Sequence, residues 1–127
     1  MPVDSDRPAR PLAGRRPADP GDPRWRILLE SRWRTRLLEV TELSLAYHDA
    51  AAEPVLSDGP DAGGRQLRRL LSQAVDARRG LADTEEALVR LAAGHFGRCE
   101  YCAQPIPAAG LALAPETRYC PRCAATT

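Results

Sequence analysis

The sequence predicts a mainly α fold, in which an antiparallel two-helix coiled-coil hairpin is followed by a small cysteine-rich finger. Two stretches carry apolar residues at heptad spacing, and a block rich in Gly, Pro and Asp separates them. Four cysteines then fall in two tight pairs near the C-terminus. An aromatic content of 5% in a chain of 127 residues argues against a large packed globular core.

The charge balance and the residue types exclude several function classes. The 18 basic and 17 acidic residues leave a formal net charge of +1, so no strong field attracts nucleic acid or anionic lipid. Every basic residue is arginine, and the absence of lysine excludes Schiff-base chemistry and a Walker-A phosphate loop. We find neither a secretory signal nor an apolar run of the ~18 residues that span a membrane. We therefore expect a cytoplasmic protein whose thiols stay reduced.

Residues 1–24 are expected to form a disordered arm rich in Pro and Arg. They hold six of the 12 prolines and show no apolar periodicity, so little surface could be buried on ordering. The alternative is a partner-binding tail that uses its five arginines.

A first helix is predicted from Trp25 to about Ala52, a stretch without Pro or Gly. Its seven-residue phasing is interrupted by one polar residue, Arg36. Pro54 marks its end. The apolar positions in phase are Leu29, Trp33, Val40, Leu43 and Tyr47.

A second helix is predicted after a tip loop at about residues 53–65, and it ends at Gly94. Its seam is spaced 3-4-3-4 and comprises Leu67, Leu70, Ala74, Ala77, Leu81, Thr84, Leu88 and Leu91. Gly80 lowers its helix propensity by about 1 kcal/mol relative to alanine. A short loop between two helices of similar length predicts an antiparallel hairpin over residues 25–93, and a self-associating coiled coil is the competing explanation of the same pattern.

Residues 94–127 carry the strongest motif of the chain, Cys99-x2-Cys102-x17-Cys120-x2-Cys123. This spacing is typical of a four-cysteine zinc finger, in which two short knuckles bring four thiolates to one tetrahedral ion. Four protein ligands leave no open position, so the zinc would be structural. Two disulfides, a redox Cys-x-x-Cys pair and four-cysteine iron remain as alternatives.

No catalytic residues are predicted. The two histidines, His48 in the first helix and His95 before the first knuckle, do not form a recognisable triad or dyad with other residues. We therefore expect a protein that is not an enzyme.

The finger resembles a known family. The stretch from Gly94 to Cys102, together with Pro105–Pro107, Leu111, Pro115 and Cys120–Cys123, is similar to the zinc finger of the TraR/DksA family of bacterial transcription regulators, which has four cysteine ligands. The resemblance implies a partner, RNA polymerase, whose secondary channel receives the coiled-coil hairpin so that transcription initiation is modulated. It also implies that the nucleotide ppGpp could be a further ligand. Direct sequence-specific DNA binding is not expected, because residues 99–127 hold two arginines against two glutamates.

The predicted tip loop contains Asp58 and Asp61, which allow two interpretations. The resemblance implies that acidic tip residues approach the polymerase active site, where carboxylates could perturb a magnesium ion or its water. Asp-Gly-Pro-Asp is also common turn chemistry. A zinc-stabilised coiled-coil adaptor or dimerisation protein without polymerase activity is the alternative function.

Overall fold

The computed structural model describes residues 16–52 and 62–126. Four helices lie in these ranges: α1 Pro23–Ala52, α2 Ala62–Ala93, α3 Ala108–Leu113 and α4 Pro121–Thr126. The described residues divide into two compact units, the hairpin unit of residues 31–52 and 62–85 and the finger unit of residues 16–30 and 86–126. Most of the expected arm, residues 1–15, and most of the expected tip loop lie outside the described residues.

Helix α1 begins at a capped N-terminus. The side chain of Asp22 accepts a hydrogen bond from the backbone N–H of Arg24 at 2.9 Å, and its carbonyl accepts one from Trp25 at 3.1 Å. Pro23 follows as the first helical residue, where its missing N–H costs nothing. This cap explains why the helix starts two residues before the predicted position, Trp25.

In the hairpin unit the two helices pack antiparallel along the predicted seam. Trp33 lies near the start of the part of α1 that belongs to this unit, and Glu85 lies at the end of the corresponding part of α2. The indole Nε1–H of Trp33 donates a hydrogen bond to the carboxylate of Glu85 at 3.1 Å. Every predicted seam residue of α2 in this unit is buried or half-buried, namely Leu67, Leu70, Ala74, Ala77, Leu81 and Thr84. The predicted fold class is confirmed. The seam residues of α2 are buried by packing within one chain.

Gly80 and Arg36, two exceptions to the apolar pattern, lie against each other. A Cβ added at Gly80 would overlap the Arg36 guanidinium, so the missing side chain gives this large polar group its space. The hydroxyl of Thr84 donates back to the carbonyl of Gly80 at 3.1 Å. Helix α2 begins at Ala62, so the predicted loop of about residues 53–65 extends too far along the chain. Gly63 and Gly64, which the sequence analysis took as turn residues, belong to the first turn of this helix.

The finger unit has the larger apolar core. Leu29 of α1 and Ala87 of α2 are fully buried together with Phe96, Ile106 and Leu111. Trp25 packs against Phe96 with ring centroids 5.2 Å apart and planes tilted by 50°. Such an aromatic pair contributes about 0.5–1.5 kcal/mol beyond the burial of its area. The aromatic pair fixes the start of α1 to the finger.

Residues 16–22 also contact the finger, although the sequence placed them in the arm. The carbonyl of Arg16 accepts a hydrogen bond from the N–H of Ala108 at 2.7 Å, and Pro17 forms a bridge with Pro107. Ala18 packs on the buried cluster. The boundary at residue 24 therefore differs from the structure, because backbone pairing with a distant segment is not encoded in local composition.

Neither long helix could cross a membrane, and no other helix within residues 16–52 and 62–126 is apolar enough over the required length.

Candidate metal centre

The path into the first knuckle starts where α2 ends. His95 N–H bonds the carbonyl of Arg90 at 2.9 Å, and Gly94 N–H bonds that of Leu91 at 3.2 Å. These two bonds form a Schellman motif, with Gly94 in the left-handed region at φ 82°. The chain reverses there, which allows Phe96 to enter the core immediately afterwards.

The first knuckle is a tight turn closed by backbone hydrogen bonds. Cys99 N–H bonds the carbonyl of Gln104 at 2.9 Å, and Ala103 N–H bonds that of Cys99 at 2.9 Å. Ala103 adopts φ 64°, a left-handed conformation that costs a non-glycine residue about 1–2 kcal/mol. The same knuckle places the Sγ atoms of Cys99 and Cys102 within 4.8 Å of each other.

The second knuckle lies at the start of a helix. Cys120 precedes Pro121, the first residue of α4, and Cys123 lies in its first turn. Ala124 N–H bonds the carbonyl of Cys120 at 2.8 Å, so the helical turn sets the separation of the two cysteines. Between the knuckles, Leu111 of α3 and Pro115 are buried in the finger unit.

The four cysteines come together although 17 residues separate the two pairs. The Sγ atoms of Cys99, Cys102, Cys120 and Cys123 all lie within 4.8 Å of one another. Cys102 and Cys120 have their sulfurs 3.7 Å apart. A tetrahedral ion with metal–sulfur bonds of ~2.3 Å requires sulfurs about 3.8 Å apart, whereas a disulfide requires ~2.05 Å. The donor set and the spacing therefore fit a four-thiolate metal centre, and the expected grouping of the four cysteines is confirmed.

Backbone hydrogen bonds prepare two of the thiols for ionisation. Burial raises the pKa of Cys99, but the backbone groups of Cys102, Cys120 and Tyr101 outweigh it and lower the pKa to about 6. A backbone hydrogen bond from Cys123 lowers the pKa of Cys120.

Burial, reinforced by the neighbouring sulfurs, has the opposite effect on the pKa of Cys123. Burial, followed by the neighbouring thiols, raises its pKa to about 12. Four close thiolates repel one another, so full ionisation requires a cation among them. This requirement favours a divalent ion over an empty cluster.

A network of charged residues joins the end of α2 to both sides of the cluster. Arg118, two residues before Cys120, pairs with Glu86 of α2 and with Glu100 in the first knuckle. Arg90 of α2 also reaches Glu100, at 3.5 Å, and donates to the carbonyl of Glu116. Glu100 N–H bonds the carbonyl of Arg118 at 2.8 Å. The sequence interpretation missed this network, whose only signal was opposite charge beside the two knuckles.

Neither of the two histidines considered from the sequence is part of the cluster. His95 is exposed at the end of α2, and His48 is exposed with an edge contact to Tyr47 at 5.8 Å. Asp58 and Asp61 lie outside the described residues.

Of the comparisons with known proteins, the one with solved structures found a similar arrangement. No family model and no curated protein matches the sequence. Among solved structures, the chain is similar to transcription factor DksA2 from Pseudomonas aeruginosa, with a TM-score of 0.71 and 24% identity over 80% of this chain and 78% of that one. At this identity the likeness is one of fold. The structure thus has a DksA-like fold, in which two long helices pack against each other and four cysteines form a metal-binding cluster.

Proposed function

We propose that this chain is a DksA-like transcription regulator that binds RNA polymerase through its helical hairpin and modulates transcription initiation. The observation that carries the proposal is the fold likeness to a transcription factor over 80% of the chain. The finger motif, which resembles the TraR/DksA family in sequence, supports it independently. Under this proposal the hairpin enters the secondary channel of the polymerase.

The finger holds one structural zinc through Cys99, Cys102, Cys120 and Cys123. Zinc is favoured because thiolate ligands select soft or borderline ions. The filled d shell of Zn²⁺ imposes no other geometry, so the ion is almost always four-coordinate and tetrahedral in structural sites. When bound, the ion supplies the positive charge and the fixed centre that four ionised thiols need. Its four protein ligands leave no position for substrate, which supports a regulator rather than an enzyme.

The net charge supports a protein partner. Four thiolates around Zn²⁺ add −2, and the formal total changes from +1 to −1. A chain with that charge gains little from counterion release on DNA. Regulation through the polymerase itself does not require a basic DNA-binding face. The resemblance of the finger to the TraR/DksA family adds ppGpp as a further ligand under this proposal.

Two assays test the proposal: capture of RNA polymerase by the immobilised chain, and in vitro transcription in the presence of the chain. Immobilised full-length chain should retain bacterial RNA polymerase, and in vitro transcription from a sensitive promoter should change when the chain is added, with and without ppGpp. No capture at micromolar protein would contradict the proposal and would favour the adaptor alternative.

Substitution of Asp58 and Asp61 tests whether the predicted tip loop acts on transcription. If they act near the polymerase active site, the double variant Asp58→Ala/Asp61→Ala should abolish the effect on transcription and leave polymerase capture intact. Asp76→Ala is the matched control, because this carboxylate is exposed on α2 within the hairpin unit. Loss of capture in the double variant would mean that the aspartates anchor the complex.

A further inference from the structure

In the hairpin unit, α2 carries a row of exposed arginine and apolar side chains beside its seam. The row consists of Arg68, Leu71, Val75, Arg78 and Arg79, all of them exposed. Steps of three or four residues link them, with Arg78 and Arg79 both one turn after Val75, so they share one side of the helix. Leu71 is 48% and Val75 is 44% exposed, which leaves two apolar groups uncovered between arginines at both ends. We call these five residues the basic flank.

The arginines of the basic flank have no carboxylate partner within the described part of the chain. None of the ion pairs there involves Arg68, Arg78 or Arg79. Four arginines of the finger unit, by contrast, are paired with carboxylates, namely Arg24 with Asp22, Arg26 with Glu30, Arg90 with Glu100 and Arg118 with Glu86. Residues 62–82 hold five arginines and a single carboxylate, Asp76. This part of α2 therefore carries a local positive charge, although the chain as a whole is nearly neutral.

The composition of the basic flank favours an acidic protein surface as its partner. Arginine around an apolar centre is typical of protein interfaces. Phosphate groups would pair with the arginines but would leave Leu71 and Val75 without an apolar contact.

A second copy of the basic flank is unfavourable in either orientation. An antiparallel copy would set Arg68 against Arg78, because the row has arginine at both ends. A parallel copy would set each arginine against its counterpart. Like charges at an interface repel, so the complementary surface must carry carboxylates and cannot be this flank itself.

We propose that the basic flank of α2 is the face of the hairpin that binds RNA polymerase, against a polymerase surface that is acidic and has an apolar centre. This inference rests on the proposed function and adds to it the contact surface. The arginines pair with polymerase carboxylates, and Leu71 and Val75 pack between these pairs. Arginine suits this role because its planar guanidinium can bind a carboxylate through two parallel hydrogen bonds.

Capture of RNA polymerase by the immobilised full-length chain, titrated to a dissociation constant, tests the apolar centre. Leu71→Gln/Val75→Gln should weaken capture at least ~10-fold, because it removes the apolar contacts at the middle of the interface. Leu38→Gln/Leu45→Gln is the matched control and should leave capture unchanged, since these leucines are 63% and 60% exposed on α1 of the same unit. Far-UV circular dichroism checks that both variants are helical.

The same titration at several salt concentrations tests the arginines. Arg78→Gln/Arg79→Gln should weaken capture at least ~10-fold and make it less dependent on salt, because salt screens exposed ion pairs. Arg78→Lys/Arg79→Lys keeps both charges and should recover part of the affinity. Arg34→Gln removes an exposed charge from α1 and should leave capture unchanged.

The outcomes separate this inference from the proposed function. Wild-type capture that neither flank variant weakens would overturn the basic flank and leave the proposed function standing. Equal losses in the flank and control variants would also overturn the flank, because affinity would then follow total charge or total exposed apolar area. Absence of wild-type capture would contradict the proposed function and the inference with it. If the wild type instead retains single-stranded RNA or vesicles of anionic lipid, and Arg78→Gln/Arg79→Gln abolishes that binding, the flank binds phosphate and the inference is wrong.

Discussion

The finger unit buries Phe96, Ile106 and Leu111 to 2% exposure or less, whereas the buried apolar residues described in the hairpin unit are Val40, Ala74 and Ala77. The finger has a small core and a four-sulfur cluster inside it. The hairpin has a narrow seam whose most buried apolar residues are small and, among its described residues, no group of metal ligands. A short irregular segment thus needs a metal to fold, while two long helices can rely on seam packing and backbone hydrogen bonds. Substitutions in the finger unit should therefore destabilise the chain more than substitutions in the hairpin unit.

The largest effect is expected from the double substitution Cys99→Ser/Cys120→Ser. Structural zinc contributes an apparent ~10–16 kcal/mol to the folding of small fingers, so loss of two thiolates should release the metal and unfold the finger. Helical circular dichroism should largely persist, because most of it comes from α1 and α2. Elemental analysis of the purified variant measures the metal, and Leu113→Ala, at an 84% exposed position of the finger unit, is the control. One equivalent of zinc retained in the double variant would refute the ligand assignment.

Phe96→Ala should be the next most damaging. The side chain is 2% exposed and packs on Trp25, and deletion of such a side chain costs about 3–5 kcal/mol. Tyr101→Ala, at an 82% exposed position of the same unit, should change stability by no more than about 0.5 kcal/mol. Denaturant unfolding followed by Trp fluorescence compares the two, and equal losses would show that the described core does not stabilise the finger.

Alanine substitutions at two glycines with nearly equal φ distinguish the cost of backbone strain from the cost of a steric contact. Gly94 and Gly97 have φ of 82° and 84°, so alanine at either should cost about 1–2 kcal/mol in backbone strain. At Gly97 the new Cβ would also lie 3.2 Å from the Cβ of Ala18, and at Gly94 it would meet no atom within 4 Å. We expect Gly97→Ala to lower the free energy of unfolding by about 1 kcal/mol more than Gly94→Ala. Equal losses would mean that Ala18 does not pack on the finger in solution.

The smallest effect is expected in the hairpin unit, at Gly80. Helix propensity alone predicts that Gly80→Ala stabilises α2 by about 1 kcal/mol. We expect a smaller gain in the wild-type background, because the Arg36 guanidinium must move, and the full gain in the Arg36→Ala background. Thermal unfolding of the four chains measures the coupling. The same gain in both backgrounds would show that the two residues do not touch.

The sequence was sufficient to predict features that depend on the spacing of residues within one segment or motif. Heptad spacing predicted the buried positions of α2 from Leu67 to Thr84, and the spacing of the cysteines predicted their grouping. The sequence did not predict the contacts between segments that are far apart in the chain. Nothing in the composition around Arg16 indicates a hydrogen bond to Ala108. The opposite charges beside the two knuckles do not show that Arg118 pairs with Glu86 of α2. Arg36 and Gly80 each looked unfavourable alone, and only the structure shows that they share one space.

Hydrogen exchange of the full-length chain, measured by mass spectrometry before and after a chelator removes the metal, tests the central difference most directly. We predict that residues 96–123 lose their protection on chelation while residues 67–85 keep theirs, because only the finger folds around the metal. Loss of protection in both segments together, or in neither, would contradict this account.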